Sequence, residues 1–412
     1  MTSLLKPLTL AAILLAAILA PAAAQPGAPL TLENAVGLAL RANPALRAAA
    51  GEVAAQDGAL AQAKALPNPE LEVLREGQRR ESRATTAQLS IPFELGGKRA
   101  ARVDAARQER GLAALALADL RVQVRADTTA AYYELAAAGE RHRMAQELAA
   151  LAARAAEVAA RRVEAGKVSP VDETRARVAQ ACARIEVIQA ARNLDSARIR
   201  LAALWGGEAA ALRIAVPAGG LPVAAPLPQL AARLEQSPAM QRARAQVGHR
   251  EALAQVERSR RVPDLTLIVG TRREGLDERD QAVVGLSLPL PLFDRNQGAL
   301  VEALRRVDKA RGEEEAERVR LQSELAQAHA RLTAALEESA LIAAEILPGA
   351  ESAYRAASRG FELGKFGILD VLDAQRTLFQ STTQYLNAAA DSHRAAADIA
   401  RLTGTSAVQE NP

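Results

Sequence analysis

Two stretches of this chain carry the same short signal. Phe361–Ala374 reads Phe-Glu-Leu-Gly-Lys-Phe-Gly-Ile-Leu-Asp-Val-Leu-Asp-Ala, and Arg162–Asp172 reads Arg-Val-Glu-Ala-Gly-Lys-Val-Ser-Pro-Val-Asp. Both contain Gly-Lys, with an aspartate six residues after the glycine. Each lies between long Ala-rich segments of helical pattern. The glycines break that pattern, and Asp370 can cap the helix that follows. Each stretch therefore reads as the tip of a hairpin of two antiparallel helices. Two copies of one tip imply a duplicated architecture.

Other landmarks repeat at the same interval. Asn43-Pro44 is answered by Ser237-Pro238, Pro69-Glu70-Leu71 by Pro263-Asp264-Leu265, Ser90-Ile91-Pro92 by Ser287-Leu288-Pro289, Phe93 by Phe293, and Leu204-Trp205-Gly206 by Leu402-Thr403-Gly404, at spacings of 194 to 200 residues. The duplication sets the domain plan. A first repeat spans 25–207, with strands near 69–77 and 84–93 and a tip at 163–172. A Pro/Gly/Ala-rich linker covers 208–228. The second repeat spans 229–404, with strands near 264–273 and 280–290 and a tip at 361–370, and a tail follows at 405–412. From Lys98 to the first tip there is no proline, which predicts roughly 100 Å of helix at 1.5 Å per residue, broken at most near Gly139. Helices of that length belong to coiled coils and helical barrels.

Residues 1–24 read as a secretory signal: Lys6, a short apolar run over Leu8–Ala20, and Ala22-Ala23-Ala24 before Gln25. The run is too short for a transmembrane helix, and no lipid-anchor cysteine follows it. No later stretch is apolar enough to span as a helix, so any membrane role must use strands. The 52 basic and 48 acidic residues are interspersed at helical spacing, which suits solvated helix faces and argues against nucleic-acid binding. His142, His249, His329 and His393 are scattered, Cys182 is alone, and no nucleophile elbow or phosphate loop occurs. The sequence offers no catalytic, cofactor or metal residues.

Each repeat thus runs helix, β-hairpin, long helix, tip, helix. Strands of about ten residues suit a tilted membrane barrel. Four strands cannot close a barrel, and open sheet edges do not survive in hydrocarbon. Hairpins that enter a membrane must share a barrel with other chains. The charged loops 76–83 and 272–280 would then face the cell exterior.

The chain resembles the TolC family of outer-membrane efflux proteins over its mature length. Ile91-Pro92-Phe93-Glu94-Leu95-Gly96-Gly97-Lys98-Arg99 is similar to the Glu-Leu-Gly-Gly-Lys-Arg strand–helix junction of the family's cobalt-zinc-cadmium (CzcC-like) branch. The resemblance implies a mostly α fold with a membrane β-barrel contribution: a homotrimer with a 12-strand barrel in outer-membrane lipid and an α-helical barrel in the periplasm. It implies a passive exit duct for divalent metal cations, working with a periplasmic adaptor and an inner-membrane pump of the RND type. A multidrug or type I secretion duct, or a periplasmic coiled-coil scaffold, are the alternatives. By the same resemblance Asp370, Asp373 and Asp172 would form the periplasmic gate. Ala165-Gly166-Lys167 and Leu363-Gly364-Lys365 would dock the adaptor. Phe366 stands where the family prototype has a gating arginine, and few aromatic residues are placed to form a girdle.

Overall fold

The computed structural model describes residues 29–79, 83–209, 212–215, 220–274, 280–363 and 365–404. The signal at 1–24, Gly364, the tail at 405–412, and parts of both loops (80–82 and 275–279) lie outside the described residues. In chain order the elements are α1 (Leu32–Ala42), α2 (Pro44–Lys64), β1 (Glu70–Glu76), β2 (Ala84–Phe93), α3 (Lys98–Glu164), α4 (Pro170–Ala203), α5 (Leu227–Leu234), α6 (Pro238–Ser259), β3 (Leu265–Glu274), β4 (Asp280–Ser287), α7 (Gln297–Leu341), α8 (Leu347–Glu362) and α9 (Ile368–Thr403). Among the described residues the fold is mostly helical, with one four-stranded sheet.

Proline and cap chemistry set the boundaries. Asn43 accepts from the backbone of Ala45 and Leu46 at 2.9 and 3.1 Å and starts α2, with Pro44 at its first position. Ser237 does the same for α6 by accepting from Met240 N at 3.3 Å. α3 runs 67 residues without interruption, Gly139 included, so it extends ~100 Å. α7 and α8 form one rod joined by a π-turn at Ile342–Ile346, just ahead of Pro348. Strand β4 stops at Ser287, short of the expected 290, because Pro289 and Pro291 carry no N–H for a ladder. Within the linker at 208–228, Ile214 forms a parallel bridge with Leu30.

The two hairpins join through β2 and β3 into one antiparallel sheet, in the order β1-β2-β3-β4. Its register separates the faces. Leu71, Leu89, Val269 and Val284 lie abreast, as do Ile91, Leu267 and Leu286, and Val73, Ala87, Thr271 and Ala282. The other face carries Glu72, Gln88 and Gly270, and Glu70, Ser90 and Ile268. Every residue of β1 is exposed, and β4 is nearly so, with Leu71 70% and Val284 75% exposed. The sheet has an uncovered apolar face and two unpaired edges.

Helices extend from the sheet as a layer. Next to it α2, α3, α6 and α7 lie side by side, and farther away α4, α3, α9 and the α7–α8 rod do. The cores mirror the duplication. Tyr132, Leu135, Leu194 and Leu201 pack with Ala35 of α1 in the first repeat, while Leu230, Leu234, Leu321, Leu325, Leu332 and Leu402 pack in the second. The Tyr132 hydroxyl reaches Leu30 O at 3.2 Å and Ala215 O at 2.9 Å, which ties the bridge to α3. Gly206 and Gly404 end α4 and α9 with φ of 72° and 71°.

Candidate functional site: the hairpin tips and the strand–helix junction

The first tip is a glycine-terminated helix end. Gly166 has φ 68°, and Gly166 N and Lys167 N each donate at 2.9 Å, to Val163 O and Arg162 O. α4 then starts at Ser169, whose hydroxyl accepts from Val171 N at 3.2 Å. Ala165, Gly166 and Lys167 are all exposed. Asp172 is half-buried in the first turn, where the helix dipole favours a carboxylate.

The second tip is built differently. Lys365 N donates to Gly360 O at 2.7 Å, and the Phe366 ring lies against Gly360, leaving no room there for a side chain. Leu363 and Lys365 are exposed, and Leu363 is 64% so. Asp370 accepts from Gly367 N at 2.8 Å, so one of its oxygens caps α9. Asp373 is exposed one turn later on the same helix. No hydrogen bond or ion pair joins Asp172 to Asp370 or Asp373 among the described residues. The tips meet instead through Arg162, whose guanidinium lies 4.8 Å above the Phe361 ring. Both residues sit about one turn before their tip glycine. The aligned tips held that signal, but sequence spacing does not pair residues across helices.

Nearly every residue of the junction has a structural task. Glu94 pairs with Arg102 through two contacts of 2.5 and 3.1 Å. Arg102 also donates to Ala63 O and Ala65 O, each at 3.1 Å, and Arg99 to Lys64 O at 2.9 Å, so two arginines satisfy the open carbonyl end of α2. Asp264, at the entry to β3, accepts from Leu95 N at 3.0 Å and pairs with Lys98 at 2.7 Å. Gly96 and Gly97 have φ of 68° and 75°. A Cβ at Gly96 would fall 2.6 Å from Val262 Cβ. Pro92, facing Thr266, and the 48%-exposed Phe93 end the strand just before this clamp. Through Leu95, Gly96 and Lys98 the motif meets Val262 and Asp264 of the second repeat, and through Arg99 it meets the end of α2 in its own.

A further inter-repeat contact was not legible in the sequence. Glu134 of α3 accepts from Arg394 of α9 at 2.8 Å and lies 3.3 Å from Arg141 and 3.7 Å from Arg200 of α4. Arg141 donates to Asn387 at 2.5 Å. Tyr133 and His393 stack with ring centroids 3.5 Å apart. His329 meets Ala225 O and His249 lies 3.1 Å from Glu109. Among the described residues no group of three His, Cys, Asp or Glu side chains could hold a metal, and no helix is long and apolar enough to cross a membrane.

Comparison with known proteins agrees with this geometry. Residues 35–207 and 228–405 match the family model described as outer membrane efflux protein. The chain is 46% identical to the cobalt-zinc-cadmium resistance protein CzcC of Cupriavidus metallidurans, over 91% of this chain and 90% of that one. It is 32% identical to the nickel and cobalt resistance protein CnrC of the same organism, over 72% and 71%. The crystal structure of the outer membrane protein VceC from Vibrio cholerae superposes with a TM-score of 0.76 at 20% identity, covering 91% of this chain and 96% of that one, which shows a shared fold. The chain belongs to the outer membrane efflux protein family and is a channel component of the bacterial outer membrane.

Proposed function

We propose that three copies of this chain form a passive exit duct for divalent metal cations such as cobalt, zinc or cadmium. One observation carries the duct: a four-stranded sheet with an apolar face and both edges unpaired. Hydrocarbon accepts strands only when every edge is paired, so β1 of one copy must meet β4 of the next. Three copies give twelve strands, with the Leu71–Val284 rows toward lipid and the Glu72–Gln88 face toward the lumen. A scaffold working in water has no use for such a sheet.

The helical layer then continues into the periplasm as a second barrel that ends at the tips. There Ala165, Gly166, Lys167, Leu363, Gly364 and Lys365 dock a periplasmic adaptor, which links the duct to an inner-membrane pump of the RND type. Asp370 and Asp373, with Asp172 beside them, ring the entrance and favour cations. The metal substrate rests on the likeness to CzcC and CnrC, whose names state cobalt, zinc, cadmium and nickel resistance. A strain lacking this chain should become sensitive to zinc, cobalt and cadmium while keeping its antibiotic tolerance. Sensitivity to antibiotics with unchanged metal tolerance would replace the metal reading with a multidrug one.

A further inference from the structure

The end of the sheet farthest from the helices sorts its charges by face. Arg75 stands abreast of Thr85, Thr85 of Arg273, and Arg273 of Asp280. Side chains two residues apart on a strand share a face, so this row lies on the same side as Val73, Ala87, Thr271 and Ala282. It continues the apolar rows with two arginines. The opposite face carries Glu76 and Glu274 at this end, and Arg272 there lies 3.4 Å from Glu274.

The height of the row sets its surroundings. Arg273 lies eight residues along β3 from Leu265, which pairs with Phe93 at the helix end of the sheet. At about 3.3 Å per residue and a strand tilt of about 40°, that is about 20 Å, close to the apolar band of about 25 Å of a membrane barrel. The row therefore meets headgroups, where an arginine costs little, and not the midplane, where it costs most. Membrane barrels commonly meet headgroups with Tyr and Trp. Residues 70–93 and 265–287 contain neither, and Phe93, at the helix end, is their one aromatic. At the far end, arginine is the anchoring residue that remains.

Both arginines are open to a ligand. Arg75 is exposed and makes no ion pair among the described residues. Arg273 is 62% exposed, and its contact with Asp280 is long at 3.7 Å. β1 and β3 are two strand spacings apart, about 10 Å, with Thr85 of β2 between them. An anion seated over Thr85 is within reach of both guanidiniums. A phosphate there takes a planar fork of donors from each side and a hydroxyl from beneath.

We infer that Arg75, Thr85 and Arg273 form a clamp for the phosphate group of an outer-leaflet lipid. This rests on the duct reading, which turns that face toward lipid. The clamp is continuous with the apolar rows, so acyl chains lie along the rows while the headgroup sits in the clamp. That continuity favours a lipid over free phosphate. The clamp fixes the depth of a barrel that has no aromatic girdle at this end.

The test is native mass spectrometry of the detergent-purified full-length protein, titrated with lipid A, a phosphorylated glycolipid. Parallel titrations use the same lipid stripped of its phosphates, and inorganic phosphate alone. The parent protein should retain one lipid A per chain and neither of the other probes. Arg75→Gln with Arg273→Gln should weaken retention on the order of a hundredfold, about tenfold for each charged partner lost. Arg75→Gln alone, on an exposed strand, should show the tenfold step even where the double variant fails to assemble. Arg272→Gln, on the opposite face, should leave retention unchanged. Equal retention of the phosphorylated and stripped lipids, or undiminished retention in Arg75→Gln, would overturn the clamp. Inorganic phosphate held as tightly as lipid A would overturn the lipid as its occupant. A trimer that retains no lipid A would overturn the clamp and leave the duct reading standing. Lipid A held by a chain that never assembles would sink the duct reading and support the clamp.

Discussion

Gly96 and Gly97 are adjacent, both sit at positive φ, and only one is crowded. Alanine at either position pays for left-handed backbone, about 1–2 kcal/mol. At Gly96 it also drives a methyl group into Val262. Gly96→Ala should therefore lower the thermal midpoint further than Gly97→Ala; equal losses would remove the clash from the account. His393 gives a second residue-level prediction. Burial pushes its imidazole pKa down to about 4 from the ordinary 6.5. Between those values the unfolded chain holds a proton that the folded chain does not, so stability is full above about pH 6.5 and falls as pH drops toward 4. His393→Phe keeps a ring on Tyr133 and should flatten the decline in urea midpoint between pH 7 and pH 5. The junction residues were visible as a motif, but their tasks were not. Nothing in Glu-Leu-Gly-Gly-Lys-Arg announces that Arg99 and Arg102 would close the end of α2, or that Asp264 would be the partner of Lys98.

The elements were legible where the chemistry is local. Prolines, glycines and caps mark the helix ends, and alternation marks β2 and β4, because both signals act within a few residues. What crosses between elements was not legible. Glu134 with its three arginines depends on which helices meet, a property the spacing of one helix does not carry. The sheet yields a sharp prediction. Val269→Arg puts a charge in the middle of the apolar rows, which costs about 2–4 kcal/mol at the centre of a membrane strand. Ser90→Arg places the same charge on the opposite face, beside Glu70. Folded protein in the outer membrane should fall sharply for the first and little for the second. Equal losses would mean the two faces do not meet different solvents.

At the scale of the molecule, the duplication was readable because six pairs of landmarks recur at spacings of 194 to 200 residues. It predicted two hairpins and two tips, and the structure adds that the hairpins join edge to edge in one sheet. That sheet is an incomplete object by itself. Its outer strands offer unpaired N–H and C=O groups along β1 and β4, and its apolar rows have no cover within the chain. Both deficits vanish together if copies add edge to edge in a membrane. Native mass spectrometry of the detergent-extracted protein, released gently from its micelle, counts those copies. The account predicts a complex of three chains that needs detergent to stay in solution. A monomer, or a complex stable in water without detergent, would contradict it.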